Sequence, residues 1–154
     1  MVGVLFDTNI LIDHFAGIEE VTAELERYED AAITTITWLE VLSGAEPHEL
    51  QDMRDYMAQF IVYDLDDVIA EEAAAIRRTA RIAGRKILKS PDAAVLATAR
   101  YTGRKLITRD IKDFSGADVH VPYALSRDPE SGEVVVAMPP PMSEQADVDE
   151  RPSS

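Results

Sequence analysis

An α/β fold with a mostly parallel central sheet is predicted by three features of this chain. Short apolar runs alternate with amphipathic or Ala-rich segments of helical length. Acidic residues stand where those apolar runs end. The 154 residues suffice for one domain whose core needs no cross-links, and cysteine is absent.

Val2–Phe6 is an apolar run closed by Asp7, as in a buried strand. Asn9–Phe15 follows as a helix that Gly17 breaks. Glu19–Tyr28 reads as an amphipathic helix, with Val21 and Leu25 four residues apart. Ala31–Ile36 is β-branched and predicts a second strand. Thr37–Ser43 predicts a short helix ending at Gly44, and Pro47–Phe60 another. Ile61–Leu65 is a third strand candidate. Asp66–Ala83 is the longest helix candidate, with Gly84 suited to the residue after its end. Ser90-Pro91-Asp92 predicts a helix start, with Ser90 as N-cap and Pro91 in the first turn. That helix runs to about Tyr101 and stops at Gly103. Lys105–Thr108 and Val119–Val121 complete the strands. Residues 1–122 are therefore expected to form one domain. In the extension 123–138, Arg127–Gly132 reads as a turn and Val134–Met138 as a possible edge strand. Residues 139–154 have too little apolar surface to fold alone and are expected to be disordered.

Without cysteine, disulfide scaffolds, thiolate zinc sites and cysteine nucleophiles are excluded. No apolar run approaches the roughly 18 residues of a membrane span. The opening MVGVLFDTNI carries no basic leader, so a cytoplasmic protein with no membrane association is expected. The net charge of −14 is unevenly spread: residues 1–76 hold two basic and 18 acidic side chains, whereas residues 77–112 hold eleven basic and two acidic. Such a segment is either a pair of solvated helix faces or a phosphate-binding strip on an acidic body.

Asp7, Asp92 and Asp110 sit at the joints between strands and helices, and Glu40 lies on the short helix after the second strand. Parallel sheets bind ligands beyond the carboxyl ends of their strands. Acids gathered there repel one another, and a divalent cation resolves the repulsion. Oxygen-only ligands suit Mg²⁺ or Mn²⁺. Taken singly, each acid has a plainer reading as a turn former, helix-dipole partner, loop cap or solvated side chain. The apolar neighbours of Glu40, Trp38, Leu39, Val41 and Leu42, suggest burial instead.

LFDTNILID at 5–13 resembles the opening motif of the PIN-domain ribonucleases. TTITWLEVLSGA at 34–45, SPDAAVLATA at 90–99 and LITRDIKDF at 106–114 resemble the second, third and fourth, in the expected order over roughly residues 2–121. The small size is most similar to the VapC toxins of toxin–antitoxin pairs. The resemblance implies a PIN-like three-layer α/β fold and Mg²⁺- or Mn²⁺-dependent hydrolysis of RNA phosphodiester bonds. It assigns Asp7, Glu40, Asp92 and Asp110 to the catalytic metal site, with Asp113 as a possible fifth ligand. Thr8 and Thr108 match small hydroxyl positions beside it, and Asn9 matches the residue that braces its loop. It also implies a cognate antitoxin and a homodimer. Family members often carry Asn at the position of Asp110, which leaves open whether Asp110 or Asp113 touches the metal. Arg104, Lys105, Arg109 and Lys112 flank the fourth motif as candidate RNA contacts, and Arg85, Lys86 and Lys89 precede the third. A housekeeping nuclease of the same fold, or a non-catalytic binding module, remains an alternative. Haloacid-dehalogenase-like phosphatase chemistry needs a second Asp two residues after the first, where this chain has Asn9.

Overall fold

The structure, a computed structural model, describes residues 3–138. In chain order its elements are β1 (Val4–Phe6), α1 (Thr8–Phe15), α2 (Glu19–Glu26), β2 (Ala31–Thr34), α3 (Thr35–Ser43), α4 (Leu50–Met57) and β3 (Ile61–Tyr63). There follow α5 (Asp67–Ile82), α6 (Ser90–Thr102), β4 (Lys105–Ile107), β5 (Val119–His120), β6 (Ala124–Arg127) and β7 (Val134–Ala137). The first five strands form one all-parallel sheet in the order β3-β2-β1-β4-β5.

Alternation along the central strands distributes their side chains to two faces. Val4 and Phe6 of β1, Ile33 of β2 and Ile107 of β4 join one core with Ile10, Leu11, Val21, Leu25 and Met57. Leu5, Ala32 and Leu106 point the other way, onto Val95, Leu96 and Ala99 of α6 and onto Phe114. Helices thus cover both faces, giving three layers. Every residue of α6 from Ala93 to Ala99 is buried, because the helix lies between the sheet and α5. Ala93, Ala94 and Ala97 meet Ile69 and Ala73 of α5, and these small side chains let the helices approach closely. Gly103 ends α6 in the left-handed conformation, at φ +67°, that a side chain would disfavour.

Three boundaries differ from the sequence reading for identifiable reasons. The second strand stops at Thr34, whose hydroxyl accepts the Thr37 N–H at 3.1 Å and so starts α3 two residues early. Ser90 is not the N-cap of α6. Lys89 takes that place in extended conformation and makes no side-chain capping bond, with Ser90 and Pro91 inside the first turn. Val134–Ala137 pairs antiparallel with Ala124–Arg127 in a separate two-stranded sheet, not at the edge of the main one. The start of the expected first strand, Val2, and the expected disordered tail 139–154 lie outside the described residues. Among the described residues no helix is long and apolar enough to cross a membrane.

Candidate active site

Strand order reverses between β1 and β4, and open parallel sheets hold their ligands at such a switch point. Asp7 follows β1 directly and caps α1, its Oδ1 accepting the Thr8 N–H at 2.8 Å. Thr108 follows β4, and its hydroxyl donates to Asp7 Oδ2 at 2.8 Å. Asn9 closes the joint. Its Nδ2 lies 3.2 Å from Thr108 Oγ1 and 3.4 Å from Asp7 Oδ2, and its Oδ1 accepts the Arg109 N–H at 3.2 Å. The short hydroxyl and amide side chains at 8, 9 and 108 therefore hold the Asp7 carboxylate between two strand ends.

Glu40 approaches from α3. Its Oε1 accepts from Thr8 Oγ1 at 3.4 Å, and Thr8 Oγ1 is 3.0 Å from Thr37 Oγ1. Thr37, fully buried one turn before Glu40, is a contributor that motif matching missed. Its only signal in the sequence is a hydroxyl three residues before an acid on one helix face. The expectation that Leu39 is buried is not met; it is 64% exposed, and Glu40 itself is exposed.

Asp92 enters from the first turn of α6, half-buried. Its carboxyl is pushed up, first by burial and then by the charges of Asp113 and Asp110, with Lys89 and Lys86 opposing. Burial also dominates at Asp7, raised to about 6, where Asp92 and Glu40 add smaller upward contributions. Glu40 shifts upward through burial and then Asp92. Asp7, Glu40 and Asp92 thus sense one another, but desolvation exceeds mutual repulsion as the cause.

The fourth-motif acids are engaged elsewhere as well. Asp110 Oδ1 accepts the N–H groups of Lys112 and Asp113 at 3.0 and 3.1 Å, which folds the loop on itself. Asp113 pairs with Lys86, which holds its carboxyl below the usual range. Among the described residues no three acids or histidines converge tightly enough to enclose an ion as they stand. The donor set nonetheless fits a hard divalent cation. It is composed of oxygen alone, and Asp7, Glu40 and Asp92 are raised in pKa, a condition that positive charge relieves.

The four basic candidates do not form one strip. Arg104 lies at the amino end of the sheet, away from Asp7. Its Nη2 is 2.8 Å from Asp30 Oδ1, its Nη1 donates to the carbonyls of Val4 and Asp30, and its guanidinium lies over the Tyr63 ring. Lys105 is half-buried at the same end. Arg109 turns to α1, its Nε and Nη2 at 2.8 and 3.1 Å from the buried Asp13 carboxylate. Tyr123 completes that group, donating its hydroxyl to Asp13 Oδ2 at 2.8 Å. Lys112 is exposed.

The reversed strand order and the acids Asp7, Glu40 and Asp92 beside it define an α/β protein with acidic side chains at its switch point. A PIN-domain sequence profile matches residues 4–119, and the chain belongs to the PIN-domain family. Among solved structures, a chain of a toxin–antitoxin complex from Klebsiella pneumoniae is 42% identical. The match has a TM-score of 0.71 and covers 79% of this chain and 99% of that one. A chain of FitAcB from Neisseria gonorrhoeae is 25% identical, with a TM-score of 0.63 over 75% of this chain and 94% of that one. DNA-bound VapBC from Salmonella typhimurium shares the fold at 21% identity, with a TM-score of 0.66 over 74% and 91% of the two chains. No curated protein matches the chain.

The raised Asp92 carboxyl makes a signed prediction. Its charge is a penalty in the metal-free protein above its folded pKa, relieved as pH falls through that value. Asp92→Asn is therefore expected to melt higher than wild type in EDTA at neutral pH. It should also gain less from Mg²⁺, which at 100 times its dissociation constant would stabilise the wild type by about 2.7 kcal/mol. Scanning calorimetry of both proteins checks this, and a lower-melting apo variant would make Asp92 a structural cap.

Proposed function

We propose that this protein is a Mg²⁺- or Mn²⁺-dependent endoribonuclease, the toxin of a VapBC-type toxin–antitoxin pair. The observation that carries this reading is the placement of Asp7, Glu40 and Asp92, three acids raised in pKa at one switch point of a PIN-domain sheet. Asp7 and Asp92 would hold the cation, with Glu40 and Asp110 completing the set and Asp113 joining after release from Lys86. The chemistry such a cation supplies is acidification of an attacking water and neutralisation of charge on the phosphodiester oxygens.

The chain's own residues have separate tasks. Thr108, Thr8 and Asn9 fix the Asp7 carboxylate, so that little reorganisation is needed as charge develops. The Thr37–Thr8–Glu40 hydroxyl chain orients Glu40. Single-stranded or loop RNA suits the site because its backbone bends into it. Lys112 is the accessible candidate for a phosphate contact, whereas Arg104 and Arg109 are engaged by Asp30 and Asp13 and Lys105 is half-buried.

The 42% identity to a chain of a toxin–antitoxin complex supports an antitoxin partner that covers the acidic residues. A homodimer would bury the exposed Leu39, Leu65 and Val68. A cytoplasmic location follows from this function. Residues 1–122 would carry the nuclease, and the extension from 123 would brace it through Tyr123. Brief expression of wild type and of Asp92→Asn, followed by sequencing of RNA 5′ ends, tests the reading. New ends at a restricted set of sites with wild type alone are expected, and co-expression of a cognate antitoxin should abolish them. Identical end profiles from the two proteins would refute it.

A further inference from the structure

A cavity of about 420 Å³ opens between the second half of α5, the 84–89 loop, α6 and the 110–115 loop. That volume lies within the roughly 300–1,000 Å³ of small-molecule sites. Ile76, Leu88, Leu96 and Phe114 supply the apolar part of its lining. Leu96 and Phe114 belong to the buried core under the sheet.

The mouth is cationic. Arg85, Lys86, Arg100 and Lys112 all line it, and all four are exposed. Lys86 is committed to Asp113, and Arg100 Nε stands 3.4 Å from Asp118 Oδ2. Arg85 and Lys112 form no ion pair among the described residues. The cavity also adjoins the candidate active site. Asp113 lines it, receives Lys86 there, and donates its own N–H to Asp110 Oδ1. Asp92 stands one helical turn before Leu96 on α6, and Leu96 lines the cavity. A molecule in the cavity is therefore a neighbour of whatever lies against Asp92.

We propose that this cavity is a nucleotide subsite, which receives one unpaired nucleotide of the RNA beside the scissile bond. The base lies against Ile76, Leu88 and Leu96, and the phosphate meets Arg85 and Lys112. The proposal rests on the ribonuclease reading and adds where a flanking residue of the substrate is held. The lining matches the two halves of a nucleotide, a base whose flat face packs on apolar side chains and an anionic phosphate. A purely aliphatic occupant would leave the cations unmatched. A base inside a duplex is stacked and unable to enter, so the cavity selects single-stranded substrate. The charge distribution agrees, since residues 77–112 hold most of the basic side chains of an otherwise acidic chain.

The test uses full-length Asp7→Asn protein, impaired in cleavage on the same reading, titrated with uridine and adenosine 5′-monophosphates in EDTA. Methyl NMR signals of Ile76, Leu88 and Leu96 report occupancy. Saturable shifts at these methyls are expected, weakened about tenfold or more by adding Arg85→Ala and Lys112→Ala, which remove two charge-assisted contacts. Ribose 5-phosphate, lacking the base, should bind about tenfold more weakly than either nucleotide. Equal affinity for ribose 5-phosphate would reduce the cavity to an anion site and overturn the proposal. Saturation by an acidic peptide matching residues 143–150, with nucleotides inert, would assign the cavity to this chain's own acidic segment and also overturn it. No shift with nucleotides while wild type cleaves RNA would end the subsite and leave the ribonuclease reading standing. Nucleotide shifts without RNA cleavage by wild type would end the ribonuclease reading and, with it, the place of this cavity beside a scissile bond.

Discussion

Asp7→Asn is expected to lower RNA cleavage by at least about 10²–10³-fold, the usual cost of removing one preorganised electrostatic group. Asn is close in size and still accepts the Thr8 N–H, so the protein should remain folded. The same substitution has a stability signature in EDTA. Burial raises Asp7 from 3.8 to about 6, so the folded state binds the proton more tightly than the unfolded chain. The associated stability is fully present below the unfolded value and is lost as pH rises through the folded one. A shift of that size corresponds to about 3 kcal/mol at pH 7. Wild type should therefore lose stability between pH 4 and 7 (roughly the interval set by the two pKa values). Asp7→Asn should lack that slope. Urea unfolding across this range reads both curves, and parallel curves would remove Asp7 as the origin.

The second large effect concerns Arg109. Its removal leaves the buried Asp13 carboxylate with only the Tyr123 hydroxyl, among the side-chain partners described. Breaking a buried pair from one side costs about 3–5 kcal/mol. Arg109 is 35% exposed, which places the expected loss for Arg109→Ala near the low end. For a chain of this length that corresponds to a fall in Tm of roughly 10 °C. Tyr123→Phe should cost less, about 1–2 kcal/mol, since the ion pair survives. Arg109 also begins the loop that carries Asp110, so cleavage should fall along with stability. An unchanged Tm with weaker, less salt-sensitive RNA binding would instead make Arg109 a phosphate contact.

Arg109 shows which kind of information a sequence withholds. Its local context, TRDIKDF beside other basic residues, reads as a phosphate strip. Its partner Asp13 lies 96 residues away and is recognisable only in retrospect, as a carboxylate among apolar residues of α1. Arg104 is similar, since its contacts with Asp30, Val4 and Tyr63 depend on the parallel pairing of four strands. What is local was legible. The β1 run ending in Asp7, the α6 start beside Asp92 and the Gly103 stop all follow from propensity and steric rules. The order of the four motifs carried the family. The partner of Val134–Ala137 was not legible, because Ala124–Arg127 has no apolar pattern of its own and forms a strand by pairing across the Arg127–Gly132 turn. Repulsion was the expected cause of the raised carboxyls, yet burial exceeds it, because the depth of Asp7 is a property of the packed sheet.

The most direct test is the rate at which purified protein cleaves a single-stranded RNA, measured against Mg²⁺ concentration after EDTA treatment. No cleavage in EDTA and saturable recovery with Mg²⁺ or Mn²⁺ are expected, with no comparable recovery for Asp7→Asn or Asp92→Asn preparations that melt as folded proteins. Cleavage that persists in EDTA, or a folded Asp7→Asn protein that cleaves at the wild-type rate, would contradict metal-dependent cleavage at these acids.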